Sequence, residues 1–244
     1  MRLGDISQQV SDKRLLPFVW PWANPSGQGL SVKEVLLSRK FSFAYLLISW
    51  MLVMLLGFAS NRDCHSTWQL NLLCDQAIWL IKIKTDPIGF IQSLITSAWI
   101  HNGIEHLLFV SIIGIVIIIQ SFESQYGSRF TVFVFFITHI LIGITFAILF
   151  NIGISWWPDN EYFQYGFERN WMGGSVGFYA IIGAFSFLRC RGWFLVSILL
   201  SFEVINHLVL GTSIHISMIH TLCLVYGNLV SRFYTRVLIP KFAR

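Results

Sequence analysis

Ser175, His220 and His106 are the residues whose types and placement could do chemistry together. A serine hydroxyl is a weak nucleophile until a base takes its proton, and a neutral imidazole within hydrogen-bond reach can take it near neutral pH. Each of the three sits near the start of an apolar stretch: His106 opens one, Ser175 follows Gly173-Gly174 in a second, and His220 lies in a third. A hydroxyl, a base and a second imidazole able to donate to a developing oxyanion are the parts of an acyl-transfer site.

Six apolar stretches must position them: Phe41 to Ser60, His106 to Ser121, Phe130 to Ile152, Met172 to Leu188, Trp193 to Gly211 and Ser213 to Ser231. The 244-residue chain is 55% hydrophobic and 12% charged with mean hydropathy +0.65, against about 25% charged in a soluble domain. Runs of this length read as membrane helices, since about 20 helical residues cross the hydrocarbon core with every backbone group satisfied. The expected fold is all-α: a six-transmembrane-helix bundle over 41–235, with an amino-terminal cytoplasmic extension 1–40 and a basic tail 236–244. The stretch before Phe41 is polar, basic and broken by Pro17, Pro21 and Pro25, unlike a signal peptide.

Thirteen Lys and Arg fall on the side of both termini and four on the other, so the positive-inside rule puts both termini in the cytoplasm. The net charge of +5 describes orientation in a bilayer, not nucleic-acid binding. Spans two, four and six then run inward from the outer face. Ser175 would lie roughly 6 Å and His220 roughly 10 Å below the start of its span at 1.5 Å per residue, so the hydroxyl and the imidazoles converge at shallow depth. Ser213, Ser217, His220, Cys223 and Gly227 share one face of small and polar residues, which permits close helix approach. Ser175 and Tyr179 share a face one turn apart, and Gly173, Gly177, Ala180 and Ala184 are expected to line the other. Tyr179 offers a ring for His220 to pack against, His106 and the Ser175 N–H are the candidate oxyanion donors, and Gly173 with Gly174 would leave room for substrate backbone.

These residues resemble the rhomboid family. His101 and His106, five apart in Ile95 to Leu107, look like its paired histidines at the start of the second helix. Glu123 and Gly127-Ser128 are similar to the turn that follows. Gly173-Gly174-Ser175 matches the first part of GxSG, Tyr179-Ala180 follows at the family spacing, and Ile219-His220 with Gly227 resembles AHxxGxxxG. The resemblance covers roughly residues 85 to 235. It implies an intramembrane serine endopeptidase with Ser175 as nucleophile and His220 as base, His106 as oxyanion donor, Tyr179 and Gly173 in support, no metal and no cofactor. Its substrates would be single-span membrane proteins cut near the outer face. Departures are Val110 where the family has an oxyanion Asn, Val176 at the second Gly of GxSG, Cys223 for a Gly, and Gln92-Ser93 for a Trp-Arg pair. Losing one oxyanion donor costs about 10²- to 10³-fold, and this motivates the alternative of a rhomboid-like pseudoprotease that binds membrane clients.

No Asp stands where it would orient His220, so a dyad is expected. Glu203, the one acid deep in a span, marks ion paths in other membrane proteins and motivates a transporter reading, but no inverted repeat accompanies it. With Asn206 and His207 one turn on, it reads as a hydrogen-bonded structural residue whose amide variant keeps most activity. His101 reads as a lid or loop contact, and His139, His207 and His215 as structural. A zinc site at His101 to His106 lacks the HExxH or HxxEH spacing. Cys64 and Cys74 share the outer 1–2 loop and either pair or stay as thiols; Cys190 is expected in the cytoplasm and Cys223 as a packing residue. Ala77 to Lys84 reads as an interfacial segment, and Trp156, Trp157, Tyr162, Phe163 and Tyr165 as an aromatic belt.

Overall fold

A computed structural model describes residues 18–60, 64, 72–189 and 191–238; Cys190 lies outside them. Apolar helices occupy all six stretches: α2 (Lys40–Leu56), the continuous run Ile104–Tyr126, α8 (Ser128–Trp156), α10 (Ser175–Leu188), α11 (Trp193–Leu210) and α12 (Ile214–Phe233). Length divides them. Ile104–Tyr126, Ser128–Trp156 and Ile214–Val237 are long and apolar enough to cross a membrane, and α2 makes a fourth if counted with α1 (Val32–Ser38), from which it is bent by 88°. At 14 residues, α10 reaches only about 21 Å at 1.5 Å per residue. The run Ile104–Tyr126 comprises α6 (Ile104–Phe109), a π-wound middle Val110–Ile119 and α7 (Gln120–Tyr126).

The described residues form two compact units. The first takes those within Met1–Ala44, Ser111–Thr138 and Ser175–Arg244; the second comprises Tyr45–Val110 and His139–Gly174.

In the first unit the approach to α2 is built into the protein. Ser31 and Glu34 form a capping box at α1. Arg39, at the bend, is 1% exposed; it donates to Gln120 Oε1 at 2.7 Å and to the Ala23 carbonyl at 2.5 Å. Glu123 accepts from the Phe41 and Ser42 N–H groups at 2.8 and 2.9 Å, a carboxylate meeting the unsatisfied donors of a helix N-terminus. Of residues 1–40, expected as a separate extension, the described part from Phe18 on packs into this unit, with Val19 and Ala23 buried.

Small residues let α10 and α12 nearly touch. A Cβ on Gly183 would stand 2.1 Å from the Leu224 carbonyl oxygen, and one on Gly227 2.0 Å from that of Ala180. The expected division of α10 into two faces is therefore shifted. Ala180 faces α12, together with Gly183, while Gly177 sits under the Phe135 ring of α8. Side chains at Val204, Ile205, Leu208 and Val209 of α11 remain exposed, as they would against lipid.

In the second unit, β1 (Ile78–Trp79) pairs antiparallel with β2 (Asn170–Trp171), Ile78 opposite Trp171. Of the segment Ala77 to Lys84, expected at the interface, Ala77, Ile78 and Leu80 are buried in the protein and Ile81 is exposed, and the short helix α4 (Lys82–Thr85) follows. Cys64 and Cys74 form a disulfide in a small core with Ala59, Leu73 and Ile100. Asn170 Nδ2 donates to the Ala59 carbonyl at 3.3 Å. Of the expected aromatic belt, Trp156, Trp157 and Tyr165 are exposed; Phe163 stacks on Trp157 at 5.8 Å.

Candidate active site

Ser175 is the first residue of α10. The helix cannot begin earlier because Gly173 has φ +104, a conformation that only glycine adopts readily. The start expected at Met172 thus moves to Ser175 itself, and the nucleophile candidate stands among the N–H groups that a helix leaves without internal acceptors. His220 lies almost two turns into α12, on the face that meets α10.

Within the first unit these helices bring four side chains together. His220 Nε2 is 3.2 Å from Ser175 Oγ. The Tyr179 ring stacks on the imidazole with centroids 4.0 Å apart and planes 9° from parallel. His220 Nδ1 is 2.8 Å from Glu203 Oε1 of α11, and the Tyr179 hydroxyl donates to that same oxygen. Ser175 is 7% exposed, and the His220 side chain 12%. One oxygen of Glu203 therefore accepts from both the phenol and the ring N–H, leaving Nε2 with its lone pair toward the serine.

Glu203 is the member that sequence reasoning did not connect. Its burial and hydrogen bonding agree with the structural reading, but its partners are His220 and Tyr179. Asn206 and His207, the partners expected from spacing, instead close the end of α11: the Asn206 carbonyl accepts from Thr212 N, and His207 Nδ1 donates to the Thr212 carbonyl at 2.8 Å. The signal available was the cost of an unpaired acid in an apolar helix, which demands a donor somewhere in the fold.

His106, the expected oxyanion donor, belongs to the second unit, where its ring fills the space a Cβ of Gly173 would need, at 2.1 Å. The Tyr45 hydroxyl does the same at Gly174, at 1.9 Å. Both glycines admit protein side chains; the room expected there for substrate backbone is occupied. Val110 is fully buried. His101 packs on His106 with ring centroids 5.0 Å apart; burial, and then the neighbouring imidazole, hold its pKa down to about 3. Among the described residues no group of three His, Cys, Asp or Glu side chains could hold a metal ion. His215 Nδ1 pairs with Ser213 Oγ at 2.8 Å, and Cys223 is a buried free thiol.

A family model, the Rhomboid domain, matches residues 90–238. The chain belongs to the rhomboid family. That span begins in α5 (Pro87–Thr96) and includes every residue of the Ser175 cluster. No curated protein and no solved structure gives a significant match. Rhomboid membership and the apolar helices make this a multi-pass membrane protein of an intramembrane protease family.

Proposed function

We propose that this rhomboid protein is an intramembrane serine endopeptidase in which Ser175 is the nucleophile and His220 the general base. The observation that carries the reading is the 3.2 Å approach of His220 Nε2 to Ser175 Oγ, with the ring fixed in place by its stack on Tyr179. Ser175 Oγ attacks a scissile carbonyl while its proton passes to Nε2; the C–N bond then breaks, the proton goes to the leaving amine, and water releases the acyl group by the reverse sequence. The Ser175 N–H is one oxyanion donor, and we assign His106 as the second from its family position. The substrates are single-span membrane proteins cut near the outer face of the plasma (inner) membrane, in a six-span arrangement with both termini cytoplasmic. No cofactor enters the reaction.

Buried, apolar Val110, where the family carries an oxyanion Asn, favours a second reading: a catalytically weakened protein that holds membrane clients. A fluorophosphonate distinguishes the two, since covalent capture needs a hydroxyl whose proton has somewhere to go. The folded wild-type protein is expected to label slowly, and Ser175→Ala and His220→Ala not at all. Absence of label on folded wild type with several such reagents would leave the client-binding reading in possession.

A further inference from the structure

We infer that Glu203 is the positioning residue for His220, so that the reactive cluster is a serine–histidine–glutamate relay and not a dyad; this rests on the protease reading above. The three side chains come from three helices, α10, α11 and α12, and meet in line: Ser175 Oγ to His220 Nε2 at 3.2 Å, His220 Nδ1 to Glu203 Oε1 at 2.8 Å.

An imidazole can serve as base through only one nitrogen at a time, and the hydrogen bond made by the other nitrogen decides which one carries the proton. With a carboxylate on Nδ1, the proton stays there and Nε2 presents its lone pair to the serine. The carboxylate is itself supplied with donors. The Tyr179 hydroxyl donates to Oε1, the same oxygen that meets His220 Nδ1. When Ser175 Oγ–H gives its proton to Nε2, the ring becomes cationic beside the carboxylate, and no proton moves to Glu203; the ring's proton later leaves from Nε2 to the amine. The acid thus touches neither substrate nor reacting atoms and acts through His220. Tyr179 has two functions in this arrangement: its face supports the imidazole, and its hydroxyl holds the acid that orients it.

The structural alternative is that Glu203 merely ties α11 to its neighbours. Kinetics of the full-length detergent-purified protein on a fluorogenic single-span reporter separates them. In the serine–histidine–aspartate template, replacing the acid by its amide preserves geometry and costs about 10⁴ in kcat. Glu203→Gln is therefore expected to lower kcat by about 10²- to 10⁴-fold, with KM within about threefold of wild type and an unchanged melting temperature. Glu203→Asp, which keeps the charge, restores part of the rate, and fluorophosphonate labelling slows in the same order. A folded Glu203→Gln variant with wild-type kcat overturns the inference while leaving the Ser175–His220 reading intact. So does equal loss of activity and melting temperature in the Gln and Asp variants, which is the signature of a strut. Activity surviving in Ser175→Ala, run in parallel, instead removes the protease reading and the relay with it.

Discussion

The Ser175–His220 pair of the first unit and the Ser97–His139 pair of the second both set a serine against a histidine, and they differ in how they are equipped for chemistry. In the second unit Ser97 Oγ lies 2.9 Å from His139 Nε2, closer than Ser175 is to His220. Ser97 is 0% and His139 2% exposed, and among the described residues His139 Nδ1 has no hydrogen-bond partner. The Ser97 carbonyl accepts from Gly173 N at 2.8 Å, and its neighbour Ala98 accepts from the Tyr45 hydroxyl at 2.7 Å. This second pair is a fastener for the segment leading to Ser175. Proximity of hydroxyl and imidazole is thus insufficient; what differs is an acid on the far nitrogen, a stacked ring, and a place at a helix N-terminus with some opening to the outside.

Exchanging single atoms in each pair tests that contrast. Ser175→Ala is expected to reduce cleavage by at least about 10⁴-fold with little change in melting temperature, whereas Ser97→Ala keeps kcat within about threefold; comparable losses from the two would erase the distinction. Next in size is Gly227→Ala, whose methyl would meet the Ala180 carbonyl oxygen. Pushing α12 from α10 displaces His220, and a misplacement near 1 Å costs about 10²-fold, so kcat should fall by that order while a Gly29→Ala control, with open space around its Cβ, leaves the geometry of the Ser175 cluster alone. A smaller effect is confined to stability: Ser97→Ala leaves a ring nitrogen of His139 buried without its partner, expected to cost about 1–3 kcal/mol in denaturant unfolding. The smallest concerns His101. Its pKa is lowered to about 3 in the folded protein, against roughly 6.5 for an exposed imidazole. Below that ordinary value the unfolded chain takes up a proton that the folded one refuses, so stability is full above it and declines as pH falls toward 3, by at most about 1.4 kcal/mol per pH unit. Melting curves between pH 7 and pH 4 should be less steep in pH for His101→Phe than for wild type.

The parts of the site readable from the sequence are those fixed by helical period. Tyr179 follows Ser175 by one turn and His220 lies on the small-residue face of α12, and both relations survive folding because they are internal to one helix. Contacts among different helices depend on the rotation of each about its axis, which apolar composition hardly constrains in a chain bare to lipid on many sides. For that reason the sequence pairs Glu203 with Asn206 and His207 where the fold pairs it with His220, and helical period alone assigns Ala180 to the face of α10 away from α12. Short elements escaped for another reason. A two-residue strand such as Ile78–Trp79 has no measurable period, and its partner lies some ninety residues further along the chain. From the sequence Gly173 and Gly174 read as room for substrate backbone; what lies against them instead, His106 at one and Tyr45 at the other, is a property of the assembled second unit.

The joint at Arg39 and Glu123 bears on where this protein can be cut. The family match starts at residue 90, yet Glu123, inside it, spends its carboxylate on N–H groups of Phe41 and Ser42, and Gln120 takes both the Arg39 guanidinium and, through its amide, the Val19 carbonyl. A shortened chain beginning at the family boundary would keep every reactive group and lose the Phe41 and Ser42 N–H groups that bond to the Glu123 side chain, itself 1% exposed. The stretch that carries the family pattern is therefore shorter than the stretch packed with it, since backbone groups of Val19, Phe41 and Ser42 bond to side chains inside the matched span.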